Sequence, residues 1–261
     1  MKNFGAHHGG ADQAEGLREL FGPQTAKTYC LASALDADCT ALLGVGTAHA
    51  LANAGHRTLL VDEVPLSERQ QLPRYAYPVR YDLGQVLSGF VTLYQALRVV
   101  NEKLFYAIGN RVRRAFDSHE AKPPNLALRL LAAQIDIDFI LIASRAPHAG
   151  ALNLYADEVR RIVVTSPEPR GIKKCLELLR DLSVLNPDQP LPLLVVGGAT
   201  ESEGESVFQH IRSQAETSLG IEIQSAGWIP AAALGNMDSS MMLPASLYRA
   251  LAGAVSTMEF A

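Results

Sequence analysis

The chain of 261 residues is poor in cysteine, in net charge and in long apolar runs. Its three cysteines, Cys30, Cys39 and Cys175, sit in apolar surroundings without paired spacing. A disulfide scaffold or a cysteine metal cluster is therefore not expected, and they read as buried thiols of a reducing compartment. Apolar runs such as LPLLVVGGA, residues 191–199, are far too short to span a bilayer. The opening MKNFGAHHGGADQAEGL has no apolar centre, which argues against a secretory leader. A formal net charge of −4 argues against general nucleic-acid binding, which needs clustered Lys and Arg. The small basic group Asn110 to Arg114 reads as a solvated face. The histidines show no ligand spacing, and Ser144 and Ser166 lie in no nucleophile elbow. Neither a metal site nor a hydrolase triad is expected, and a cytoplasmic protein is.

What is present is alternation. With 48% hydrophobic and 19% charged residues, the chain can bury the core of a large α/β domain. Runs rich in Val, Ile and Leu stand at 27–33, 57–63, 103–108, 139–143, 161–166, 191–196 and 223–229. Several lack period-two alternation, as parallel strands covered on both faces do. Helical spacing lies between them, at 40–54 before Gly55, at 168–182 after Pro167, and at 205–219. A fourth helix is expected at 245–258, and the stretch 118–124 is the most linker-like. The pattern implies one doubly wound, mainly parallel sheet with helices on both faces.

The first strand–loop–helix reads LASALDADCTALL, residues 31–43. Strand, loop and helix in that order present backbone N–H groups to a phosphate, given glycines and a lysine in the loop. This loop carries Asp36 and Asp38 instead. One of them is expected to cap a helix starting near Cys39, taking the phosphate's place at the helix N-terminus.

The segment TYCLASALDADCTALLGVGTAHALANAGHRTLLVDEVP resembles, without a gap, the start of the MinD/ParA class of P-loop ATPases: strand, GKGGVGKT loop, helix, and strand ending in DxD. TSPEPRGIKKCLELLRDL and LGIEIQSAGWIP resemble later segments, so the likeness runs from about Lys27 to the C-terminus. The resemblance implies a P-loop NTPase fold over 25–261 and, in active relatives, ATP and magnesium. It also implies that the chemistry has been replaced. The family's signature lysine falls on Leu35, its loop glycines on Asp36, Ala37 and Cys39, its phosphate-clamping lysine on Thr40 and its magnesium-binding threonine on Ala41. Asp62 keeps the first aspartate of the pair, while the second, which orients water, falls on Val64. The Walker B aspartate falls on Ala143 and the adenine-binding asparagine on Gly197. A triphosphate would meet carboxylates where it needs cations, which costs several kcal/mol. No bound cofactor is expected.

Ahead of the domain, residues 1–24 are expected to form a flexible segment containing ADQAEGLREL. It resembles the DQAxxLR motif of the flagellar-number regulators of the FlhG/FleN/YlxH type, matched at Asp12, Gln13, Ala14, Leu17 and Arg18. In that branch the motif is a short helix that stimulates the FlhF-type signal-recognition GTPase. Asp12 with Glu15 can close a capping box. The resemblance implies a non-catalytic regulator of flagellar number or placement, with that GTPase as partner and recruitment to the cell pole through it. A flagellar transcriptional master regulator is a second partner known to such relatives. Two alternatives stay open: an active ATPase with an atypical loop and an ATP-gated dimer, and a MinD-like scaffold in secretion, polysaccharide export or septum placement. Dimerisation is open too, because the family dimer is sandwiched around ATP. The terminal PASLYRALAGAVSTMEFA reads as a packed helix rather than a membrane anchor.

Overall fold

A computed structural model describes residues 26–70, 77–118, 124–184, 190–230 and 233. The N-terminal motif positions Asp12, Gln13, Ala14, Leu17 and Arg18, and the helix expected at 245–258, lie outside the described residues.

The first strand, β1 (Lys27–Ser33), is buried from its second residue onward, as its unbroken apolar run demands. It leads into α1 (Ala37–Asn53) and then β2 (Thr58–Asp62). A 3₁₀ turn (Leu66–Glu68), α2 (Leu83–Leu87), α3 (Leu93–Ala96) and β3 (Arg98–Val99) follow. The chain continues through β4 (Leu104–Ile108), α4 (Val112–Ser118), α5 (Leu126–Ala132) and β5 (Phe139–Ser144). After a 3₁₀ stretch (Ala149–Leu154) come β6 (Arg160–Thr165), α6 (Pro169–Ser183), β7 (Leu191–Val196), α7 (Glu201–Gln214) and β8 (Ile223–Ile229).

One eight-stranded sheet results, in the order β3-β4-β2-β5-β1-β6-β7-β8. All neighbours are parallel except β3 with β4. Each expected strand is present. The two-residue β3 was not anticipated, because Arg98 and Val99 are exposed and carry no periodic signal.

Three helix boundaries differ from expectation. Helix α1 starts at Ala37, not Thr40, because Asp36 supplies the cap. Helix α6 is shifted by one residue, with Glu168 as its N-cap. Helix α7 starts at Glu201, where Thr200 caps it, and passes into a π turn (Ala215–Leu219) that ends at Gly220 in the left-handed conformation.

The sheet is covered on both faces. On one face α1 contributes Leu42, Leu43, Val45 and Ala48 to a core with Leu60, Leu141 and Val164. On the other, α2, α4, α5, α6 and α7 pack Leu83, Val112, Leu130, Leu179 and Ile211 against Val61, Ile140 and Val163. Helix α1 is buried around most of its circumference and built from Ala, Gly, Thr and Leu. That composition permits a close approach: a Cβ placed on Gly44 would lie 2.7 Å from the Ala143 Cβ. The connection from β1 runs towards β2, whereas β5 leads to β6 on the opposite flank of β1. The crevice at the carboxyl ends of β1 and β5 is therefore the topological switch point, where open α/β sheets hold ligands.

Candidate functional site

The loop at that crevice is short, three residues from Ala34 to Asp36. Two of its N–H groups are turned inward. The Ala34 N–H donates to the Val164 carbonyl at 2.8 Å, and the Leu35 N–H to Ser33 Oγ at 3.2 Å. Asp36 is extended and its Oδ1 accepts from the Cys39 N–H at 2.7 Å, while its carbonyl accepts from the Thr40 N–H at 3.0 Å. The expected carboxylate cap is thus Asp36. Asp38, in the first turn, accepts from the Gln70 N–H at 3.0 Å and holds down the chain beyond the 3₁₀ turn.

The side chains at the family's chemical positions are mostly buried. Leu35 packs into the α1-side core, and Ala41 is 1% exposed. Thr40 hydrogen-bonds Ser33 Oγ at 2.8 Å and donates to the Asp36 carbonyl at 2.7 Å. Cys39 is only partly buried, unlike Cys30 and Cys175. Burial, and then the Asp36 carboxylate, push its thiol up to about 12, so it stays protonated and poorly nucleophilic.

Asp62 ends β2 and is 1% exposed. Its Oδ2 accepts from the Arg69 guanidinium at 2.5 Å and from the Tyr106 hydroxyl at 2.8 Å. Oδ1 takes the Val64 N–H at 3.0 Å, and the same Arg69 nitrogen reaches the Val64 carbonyl at 2.8 Å. A protein cation neutralises this carboxylate, and each of its oxygens is bonded. Burial and the neighbouring Asp62 push the Tyr106 hydroxyl above its ordinary range, which keeps it a donor. Val64 is itself buried, directly beside this pair.

Ala143 packs against Gly44, where a Cβ on the glycine would meet the Ala143 Cβ. Gly197 sits apart, after β7, with φ +118°. Its carbonyl accepts from the Trp228 indole at 2.7 Å, and a Cβ there would lie 3.0 Å from Pro167. The structure therefore gathers Leu35, Asp36, Asp38, Thr40, Ala41, Asp62, Val64 and Ala143 at one end of the sheet. Gly197 stands further along the same edge.

Sequence reasoning missed two arginines that hold this arrangement. Arg69 was unmarked because it lies in an irregular stretch, and a lone arginine carries no motif. Arg145, just after β5, donates from Nε to the Leu35 carbonyl at 3.0 Å and pairs with Glu68. It ties the loop after β5 to the loop after β1. What the arrangement offers chemically is a loop whose amides at 34, 35, 39 and 40 are spent on protein acceptors, and an acidic site already holding its counter-charge.

No family model matches the chain, and no curated protein matches it in sequence. Solved structures do. MinD of Aquifex aeolicus, a cell division protein, is 18% identical, with 90% of this chain and 97% of that one covered and a TM-score of 0.60. The ATP complex of an McdA variant from Cyanothece is 12% identical, with 90% and 97% covered and a TM-score of 0.61. The septum site-determining protein MinD of Pyrococcus horikoshii, complexed with Mg-ADP, is 16% identical, with 90% and 96% covered and a TM-score of 0.55. At these identities the likeness speaks of fold alone. Among the described residues no helix is long and apolar enough to cross a membrane. The chain has the MinD/ParA-type P-loop NTPase fold, built on a single mostly parallel sheet.

Proposed function

We propose that this chain is a MinD/ParA-type protein that works without nucleotide, as a regulator of flagellar number or placement acting through protein contacts. The observation that carries the first half is the Asp36 cap. Its carboxylate takes the Cys39 N–H in the first turn of α1, at the helix N-terminus where a phosphate would be received. The charge argument points the same way. Cations at the phosphate are replaced by Leu35 and Thr40, and the metal-side positions by Ala41, Val64 and Ala143. Phosphoryl transfer depends on positioning and on charge stabilisation by just such groups.

The second half rests on the sequence Asp12-Gln13-Ala14 with Leu17 and Arg18, which resembles the GTPase-stimulating motif of flagellar regulators. In this reading Leu17 and Leu20 make the apolar contact with an FlhF-type GTPase, Arg18 a charged one, and Gln13 acts on the partner's nucleotide. The domain then holds the regulator in place and presents the motif. Recruitment to the cell pole and contact with a transcriptional master regulator would follow from the same branch.

The test adds full-length protein, or a peptide of residues 1–21, to the FlhF-type GTPase of the same cell with GTP. Both should accelerate hydrolysis. Gln13→Ala should remove the acceleration while binding persists, and Leu17→Ala should remove binding. If neither peptide nor full chain binds the GTPase, the flagellar assignment fails and the fold alone stands.

A further inference from the structure

On the face of the sheet opposite α1, the carboxyl ends of β4, β2 and β5 border a cavity of about 380 Å³. That volume is within the range of small-molecule sites. Its walls come from five places in the chain: the segment after β2, the turn after β4 with α4, the loop after β5, the following 3₁₀ stretch and α6. The lining is rich in cationic and donor groups. Arg113, Arg145 and Lys174 stand against two carboxyls, Glu63 and Glu68. Glu68 is paired with Arg145. Glu63 accepts from the Tyr155 hydroxyl, and burial raises its carboxyl above the usual range, which favours the uncharged form. Among the described residues neither Lys174 nor Arg113 has a carboxylate within ion-pair distance. His148, on the same wall, has a buried Nδ1 with no hydrogen-bond partner.

We propose that this cavity binds a small anion of the phosphate or carboxylate class, held by the Lys174 ammonium and the Arg113 guanidinium. The site is distinct from the loop after β1, none of whose residues line it. It is joined to that loop by Arg145, whose Nε holds the Leu35 carbonyl while its other end pairs with Glu68 on the cavity wall. An anion drawn to Lys174 would compete for this arginine, so occupancy can be felt at the loop.

The binding should depend on pH through Lys174. Burial and then the nearby Arg145 lower its ammonium to about 8, opposed by Glu68 across the cavity and Glu177 on its own helix. Glu63, His148 and Tyr155 complete the titratable lining. Affinity should be retained below that value and fall above it, as the lysine loses its proton.

The experiment is calorimetric titration of the full chain with inorganic phosphate and with succinate, using glycerol as the neutral control. At least one anion should bind saturably, and which one decides between the two headgroups. Lys174→Met should weaken it tenfold or more with a melting temperature no lower than the parent's, and Arg113→Gln should weaken it less. Lys174→Arg should keep binding and abolish the fall above pH 8 seen with succinate. Should neither anion bind, or should Lys174→Met and Arg113→Gln both bind as the parent does, the proposal is wrong.

Discussion

The loop after β1 and the cavity over β5, β2 and β4 lie at the same end of one sheet, yet their polar groups are disposed in opposite ways. Around the loop, backbone and side chains satisfy one another: Asp36 takes the Cys39 amide, Thr40 takes Ser33, and Asp62 takes Arg69. Around the cavity, among the described residues, Lys174 and Arg113 have no carboxylate within ion-pair distance. The difference teaches where a P-loop fold can change. Carboxyl ends of parallel strands remain places where polar groups converge, whichever of them is in use. On the proposed reading, closing one crevice with protein groups stabilises it at the expense of its capacity to receive an anion. Leaving the other open has an energetic cost, visible in the raised Glu63 carboxyl and the lowered Lys174 ammonium.

The largest effect should come from breaking the closed side at its buried pair. Arg69→Met leaves the Asp62 carboxylate in an apolar setting with Tyr106 and the Val64 amide as its remaining partners. The loss should be about 3–5 kcal/mol, read from urea unfolding. Pairing it with Asp62→Leu should recover much of that loss, because the cost lies in the stranded charge.

Next in size is the loop cap. Asp36→Ala should lower stability by about 1 kcal/mol, a fall of roughly 2–4 °C in melting temperature. Asp38→Ala, which frees the Gln70 amide near the surface and leaves the Cys39 amide capped, should do less. Equal losses would mean that the Asp36 cap is not what sets the acid's contribution.

The smallest effect belongs to the open side and appears as a pH slope. Glu63 prefers its proton in the folded protein. Its contribution is therefore fully present below the ordinary carboxylate value and is lost as pH rises through its raised value. Glu63→Gln should be more stable than the parent at neutral pH and less sensitive to pH across that window. Chemical denaturation at a series of pH values checks it.

Much of this frame was legible in the residues. The seven main strands announce themselves as apolar runs, and Gly55 marks the end of α1 at Asn53 to within two residues. The acids of the loop foretold a carboxylate cap. What was not legible was contact between distant segments. Arg69 reads as an ordinary surface arginine until the fold brings it onto Asp62. Lys174, Glu63 and His148 stand far apart in sequence and show no spacing, and only the strand order sets them around one cavity. The early start of α1 escaped because the loop was expected to keep the family's length, while Asp36 winds the first turn from Ala37.

The most direct test of the closed loop is calorimetric titration of the full chain with ATP and magnesium. No heat of binding should appear, and Thr40→Lys combined with Asp36→Gly should not create any, since Ala41, Val64 and Ala143 still lack the metal-side groups. A saturable micromolar isotherm with the parent chain would contradict the account and make this an ATP-binding member of its fold.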